Sequence, residues 1–214
     1  MERGILTVIS GFSGAGKGTI MRELIQRYDY FLSVSATTRS PRAGEVDGKD
    51  YYFHTKEQFQ QMINGGELIE WAEYVGNFYG TPKKHVEEQL AQGRDVLLEI
   101  EMQGGMLVKE QFPDALLIFI SPPSASVLRE RLMGRGTESP EEIEKRLLRA
   151  VEEVKYMKDY DYIIVNDELE DAIKKINDLI QYDHYKACNS ALMIEKMERE
   201  IREICSAEGR VNHG

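Results

Sequence analysis

The sequence predicts an α/β fold: a parallel sheet flanked by helices, interrupted once by an inserted mixed α/β lobe and once by a helical excursion. Three observations predict it. The apolar residues 5–9 lead through a glycine-rich loop into residues 19–27, where Ile20, Leu24 and Ile25 recur at helical spacing. Largely apolar runs at residues 96–101, 115–120 and 162–165 alternate with amphipathic stretches, as strands buried on both faces do. Between residues 35 and 95 that alternation gives way to an irregular mixture of short strands, turns and helices, which marks an insertion.

A chain of 214 residues can bury one sizeable core with excursions and does not require two. Asp and Glu total 37 against 27 Lys and Arg, a net charge of −10. Such a surface does not attract nucleic acid as a whole, so any anion site must be locally basic. Cys188 and Cys205 lack metal-ligand spacing and fit a reducing cytoplasm. Residues 115–120 are too few to cross a bilayer. A soluble, cytoplasmic protein without nucleic-acid or membrane partners is expected.

The loop itself runs Gly11-Phe12-Ser13-Gly14-Ala15-Gly16-Lys17-Gly18-Thr19. Gly11, Gly14 and Gly16 leave no Cβ where a tight loop turns its N–H groups inward, and the following helix points its positive end into the same hollow. Lys17 adds a mobile charge suited to the β- and γ-phosphates of a nucleoside triphosphate, with a hydroxyl placed beside Mg²⁺. A glycine-rich turn without function is the alternative, but GxxxxGK between a strand and a helix is a specific pattern. The hydroxyl usually follows the lysine directly; here Gly18 stands there, and Thr19 becomes the candidate metal ligand.

In chain order, residues 31–34 form a short strand leading into Ser35-Ala36-Thr37-Thr38-Arg39-Ser40-Pro41-Arg42, where Pro41 excludes a continuous helix. Arg39 and Arg42 can converge as a clamp for a second phosphoryl group, or form a solvated basic turn. Residues 55–64 read as a short helix ended by Gly65-Gly66, and residues 68–75 as a strand turned by Gly76-Asn77. Strict alternation places Glu70 opposite Ile69 and Trp71, either in solvent or as an acceptor for paired N–H donors. Thr81 and Pro82 are expected as N-cap and first-turn proline of the next helix, with Gly93 at its end. Glu99 and Glu101 close the strand of residues 96–101, at the end where ligands gather in parallel sheets.

Residues 124–133 resume a helix, Gly134-Arg135-Gly136-Thr137-Glu138 breaks it, and Ser139-Pro140-Glu141-Glu142 opens a long helix through about residue 157. Arg129, Lys145 and Arg149 fit solvated ion pairs. Arg135, between two glycines, suits a charge delivered by loop closure. Asn166-Asp167 end the strand of residues 162–165, and residues 169–186 form the last core helix. Residues 189–206 carry Met193, Met197, Ile201 and Cys205 at every fourth position, an amphipathic helix expected to pack on its own domain first and on another subunit second.

These motifs, with Gly48-Lys49-Asp50-Tyr51, Ile69-Glu70-Trp71, Tyr79-Gly80-Thr81 and Val165-Asn166-Asp167, resemble those of guanylate kinases of bacterial type, in the same order and over the chain to about Lys186. The resemblance implies a P-loop NTPase-like core (residues 1–34 and 96–187, with a lid at about 125–157), a GMP-binding lobe (35–95) and a C-terminal extension (188–214). It implies transfer of the γ-phosphoryl group of ATP to GMP, with Mg²⁺ carried as MgATP and with GMP or dGMP as acceptor. By the same resemblance Arg39, Arg42, Tyr51 and Tyr79 contact the GMP phosphate, and Ser35, Glu70, Thr81 and Glu101 the guanine. Residues 11–19, with Arg135 and Asn166, contact ATP; Lys17, Arg39, Arg135 and Arg146 carry catalysis; Thr19 and Glu99 stand near the metal, directly or through water.

Three departures stand out: Glu101 where aspartate is frequent, Phe12 where proline is, and Gly18 after the lysine. Two other readings are compatible with the same fold. A phosphopeptide-binding module of the same fold typically has a degraded nucleotide loop, which this chain keeps intact. Another nucleoside monophosphate kinase is suggested by Gly16-Lys17-Gly18-Thr19, whereas Glu70 and its neighbouring hydroxyls favour guanine. The chain is expected as a monomer or a homo-oligomer joined through the C-terminal helix.

Overall fold

Every residue of β1 (Leu6–Gly11) is buried, so its Leu, Val and Ile side chains need cover on both faces. α1 (Lys17–Arg27) supplies part of it through Ile20, Met21 and Leu24. Then come β2 (Phe31–Leu32), β3 (Ala36–Thr37), β4 (Tyr52–Phe53), α2 (Lys56–Asn64), β5 (Leu68–Tyr74), β6 (Asn77–Pro82) and α3 (Lys83–Ala91). The remainder is β7 (Val96–Glu99), α4 (Met102–Gln111), β8 (Leu116–Ser121), α5 (Ala125–Met133), α6 (Pro140–Glu153), β9 (Tyr162–Val165), α7 (Leu169–Asp183) and α8 (Ala191–Ala207). The structure, a computed structural model, describes residues 3–74, 76–134 and 140–207.

Five strands form a parallel sheet in the order β2-β7-β1-β8-β9. From the central β1 the chain goes to one side for β7 and to the other for β8, so the carboxyl ends of these strands border one crevice. The inserted lobe is a second sheet, β4-β3-β6-β5, antiparallel except for β3 with β4. Its own core is small: Ala36, Phe59 and Leu68, with Tyr52, Met62, Ile63 and Phe78 around them. α2 begins with a complete capping box between Thr55 and Gln58.

Several elements depart from the sequence expectations. Thr81 and Pro82 end β6 instead of starting a helix: Pro82 occupies the N-cap position with ψ 118°, and α3 begins at Lys83. α3 also packs outside the lobe, because Val86 and Leu90 join the large core. In β5 a register shift between Leu68 and Trp71 breaks the alternation. Ile69 and Glu70 are consequently both buried, at 2% and 7% exposure, while Trp71 is exposed.

α4 was not expected, since two adjacent glycines disfavour a helix by about 1 kcal/mol each. The reason for them is tertiary. A Cβ at Gly104 would lie 2.8 Å from Glu70 Oε2, and one at Gly105 2.7 Å from the Tyr160 hydroxyl. Finally, α8 does not bury its apolar stripe on its own domain: Met193, Ile194, Met197, Ile201 and Ile204 are all exposed.

Phe119 sits at the centre of the large core, fully buried, with Phe12 edge-on at 5.0 Å and Tyr160 edge-on at 5.4 Å. Phe119→Ala is expected to cost ~3–5 kcal/mol of stability by leaving a cavity between these rings. The measurement is the urea midpoint, which should fall while the slope of the transition is preserved.

Candidate active site

The loop after β1 is held by close backbone approach. Gly11, Gly14 and Gly16 have φ of 149°, 91° and 92°. A Cβ on Gly11 would stand 2.2 Å from the Ile120 carbonyl oxygen, and one on Gly16 2.5 Å from the Asn166 amide nitrogen. Buried Asn166 donates from Nδ2 to the Ala15 carbonyl at 2.8 Å, and its own carbonyl accepts from Arg131 at 2.9 Å. Asn166 thus braces the loop from behind.

Lys17 opens α1 and donates from Nζ to the Gly11 and Phe12 carbonyls at 2.6 and 3.0 Å. Gly18 and Thr19 follow in the first turn, Gly18 exposed and Thr19 partly buried. The helix N-terminus supplies N–H donors and positive potential to the hollow. Ser13 Oγ accepts from Arg146 Nη1 at 2.7 Å, which ties α6 to the loop. Phe12 turns its ring into the core.

In the lobe, Arg39 is gripped by Glu45 through two N–H···O bonds of 2.9 Å, and Glu45 also accepts the Arg42 backbone N–H at 2.7 Å. The Arg39 guanidinium lies over the Tyr51 ring at 5.3 Å and the Phe53 ring at 5.9 Å. Tyr51 and Tyr79 meet edge-on at 6.0 Å. The Arg39 bond, then the Arg42 backbone N–H, holds the Glu45 carboxyl below the usual carboxylate range. Arg42 itself is exposed. Partly buried Ser35 accepts at its carbonyl from Tyr52 N–H at 2.9 Å, adjoining the Ala36–Tyr52 pairing of β3 and β4.

Glu70 is the buried polar centre of the seam between lobe and core. Thr81 donates to its Oε1 at 2.7 Å, and Gly104 of α4 leaves room for its Oε2. Burial pushes its carboxyl upward, against the Thr81 hydrogen bonds. Of the two places the sequence leaves open for it, the bulge in β5 selects the inward one.

Glu99 ends β7 opposite Ile9 of β1. Its outer edge is open to the crevice, yet the surrounding protein still pushes its carboxyl up; neighbouring Lys17 opposes that push and Glu101 adds to it. Tyr51, pushed up chiefly by burial, feels Arg39 and Glu45 on its own side and Glu99 on the other. Glu99 is thus an electrostatic neighbour both of Lys17 and of Tyr51, whose ring underlies the Arg39 guanidinium. Glu101 precedes α4 and pairs with Arg149 of α6 at 3.0 Å, and Arg149 also pairs with buried Glu153 at 3.1 Å.

Arg135 lies outside the described residues. The sequence reading gave no role to Glu45, although its place three residues after Arg42 was a usable signal. Arg131 and Gly104 carried no local signal, because their partners are 35 and 34 residues away. Among the described residues no group of three or more His, Cys, Asp or Glu could hold a metal by itself, and no helix is long and apolar enough to cross a membrane.

A family model described as Guanylate kinase matches residues 3–183. The chain is 50% identical to the guanylate kinase of Lactococcus lactis over 186 residues, 86% of this chain and 91% of that protein. It is 50% identical to that of Clostridioides difficile over 203 residues, 94% and 99% of the two, a match long enough to enter α8. The crystal structure of guanylate kinase from Anaplasma phagocytophilum superposes with a TM-score of 0.72 at 32% identity, covering 99% of this chain and 98% of that one.

Thr81→Val removes the donor to Glu70 and is expected to cost ~1–3 kcal/mol. A carboxyl raised by burial weakens the fold as pH climbs from its unfolded value through its folded one. Without Thr81 the ionised form loses its partner, so the deficit should be larger at alkaline than at acidic pH. Urea unfolding of both proteins across that range measures it.

Proposed function

The chain belongs to the guanylate kinase family, and from that premise we propose how its residues transfer the γ-phosphoryl group of ATP to GMP, giving ADP and GDP. The observation that supports the reading is the pair of cationic cradles, the glycine loop with Lys17 and the Arg39–Tyr51–Tyr79 cluster, with Glu99 an electrostatic neighbour of both Lys17 and Tyr51. ATP is assigned to the loop of residues 11–19, with Lys17 on its β- and γ-phosphates and Asn166 positioning the loop through Ala15. GMP is assigned to the lobe, its phosphate to Arg39, Arg42, Tyr51 and Tyr79.

Guanine offers N1–H and a 2-amino group as donors, and the Glu70 carboxylate, bonded by Thr81, is the matching acceptor, with Ser35 assigned to the same base by family resemblance. Adenine would leave that carboxylate unpaired, a penalty that can reach about 10⁴ in discrimination. Glu101, paired with Arg149, is assigned to the same base by family resemblance.

A phosphate monoester has its second pKa at roughly 6, so GMP arrives largely dianionic and no general base is needed. The task is to align two anions and neutralise their repulsion, which falls to Lys17, Arg39, Arg42, Arg146 and, by family resemblance, Arg135. A cation that travels on nucleotide phosphates needs one or two protein oxygens. Glu99, exposed at the end of β7 next to Lys17, and the Thr19 hydroxyl in the first turn of α1 fit that need. Mg²⁺ held there would supply charge neutralisation at the β- and γ-phosphates.

In a coupled ADP-release assay with GMP, AMP, UMP and CMP, turnover is expected with GMP and not with the others. Equal turnover with AMP, or none with any acceptor, refutes the assignment. Lys17→Met should lower kcat by ~10²–10³-fold with the fold intact by circular dichroism. Guanine donors favour ionised Glu70, so GMP binding should release a proton and tighten as pH rises above the usual carboxylate range. Glu70→Gln should abolish that part of the pH dependence, leaving the part due to the GMP phosphate; calorimetry in buffers of different ionisation enthalpy reads the difference.

A further inference from the structure

Arg149 joins two carboxylates through two different nitrogens. Its Nε lies 3.1 Å from Glu153 Oε1, one turn further along α6, and its Nη2 donates to Glu101 Oε2 at 3.0 Å, at the start of α4. The two anchors differ. Glu153 is buried, whereas the side chains of Glu101 and Arg149 are 63% and 45% exposed. An ion pair between two exposed side chains holds little by itself. Arg149, however, is gripped from behind by a carboxylate that would be costly to leave buried and unpaired, and a planar guanidinium held at Nε has a set direction at Nη2. Burial pushes the Glu153 carboxyl up, with Arg149 opposing that push and Glu101 adding to it, so the three groups form one electrostatic cluster. One turn earlier on α6, Arg146 is bonded to Ser13, which seats the helix against the loop.

Glu101 gains from such a support. It occupies the N-cap position of α4, yet its side chain makes no cap hydrogen bond. Three residues on, a Cβ at Gly104 would stand 2.8 Å from Glu70 Oε2, so Glu70 and Glu101 both adjoin the first turn of α4. Glutamate has one more rotatable bond than aspartate and loses more freedom when a ligand fixes it. A carboxylate has about four acceptor positions, so Arg149 and a second donor can share this one.

We propose that Arg149 is a positioning residue for the acceptor base: held by Glu153, it fixes the Glu101 carboxylate where the 2-amino group of guanine meets it. The inference rests on the assignment of GMP to the lobe and of Glu101 to its base. Arg149 touches no reacting atom. It acts on the choice between purines, because a carboxylate ordered in advance has less freedom to lose on binding. Lysine keeps the charge at this position but not the fork that serves two carboxylates at once.

GMP and IMP differ only in the 2-amino group, so the ratio of their Kd values reads the contact to that group. In calorimetric titrations, the weaker nucleotide by displacement, Arg149→Ala is expected to raise Kd about tenfold for GMP and less than about twofold for IMP. Arg149→Lys should fall between wild type and Arg149→Ala. Glu101→Ala should already narrow the GMP-to-IMP ratio, and adding Arg149→Ala to it should change the ratio no further. Arg149→Ala/Glu153→Gln should reproduce the single substitution while leaving no unpaired buried carboxylate, with circular dichroism checking the fold. An equal loss for GMP and IMP, an unchanged ratio, or effects of Glu101→Ala and Arg149→Ala that simply add overturns the proposal. In each of these cases wild-type turnover with GMP leaves the kinase assignment standing; a wild type that does not turn GMP over overturns both.

Discussion

The site depends on a backbone brought closer to its neighbours than any side chain allows. Gly11 passes the Ile120 carbonyl and Gly16 passes Asn166 at distances a Cβ would violate, and both have positive φ. That approach lets the loop curl over the end of β1 with α1 rising directly out of it. Asn166, delivered by β9 at the far side of the sheet, then bonds Ala15. The loop is therefore braced by strands that arrive more than a hundred residues later, and its shape is a property of the completed sheet.

Around that hollow the protein meets its cations with its own carboxylates. Glu45 takes both arms of Arg39, Glu101 and Glu153 share Arg149, and Glu99 neighbours Lys17. Lys17 is additionally held by the carbonyls of Gly11 and Phe12. These pairs fix the direction in which each cation points. Glu70 differs in kind, because its carboxylate is buried beside a hydroxyl and no cation.

Much of this was legible in the sequence because its signals are local. The GxxxxGK run follows a strand and precedes a helix, and the strands at β7, β8 and β9 read as apolar runs. The motif from Ser35 to Arg42 marks the two arginines of the lobe, and Glu45 holds one by its side chain and the other by its backbone N–H. What was not legible depends on contacts distant along the chain. Gly104 and Gly105 look like a turn until Glu70 and Tyr160 are placed against them, and then they belong inside α4. Trp71 and Glu70 follow a period of two on paper, but the bulge in β5 resets it. Thr81 looks like a helix cap because threonine before proline often is one; here its hydroxyl serves Glu70.

That bulge also decides how the two bodies of the molecule are joined. Ile69 is anchored in the large core, and its carbonyl accepts from Gln111 of α4 at 2.6 Å. The next residue, Glu70, is buried and held by the lobe through Thr81. A single peptide unit thus separates a side chain of the large core from a carboxyl that the lobe orients. A tilt of the lobe would be felt first at that carboxyl, which rests so close to Gly104 of α4 that a methyl group there would wedge the two bodies apart.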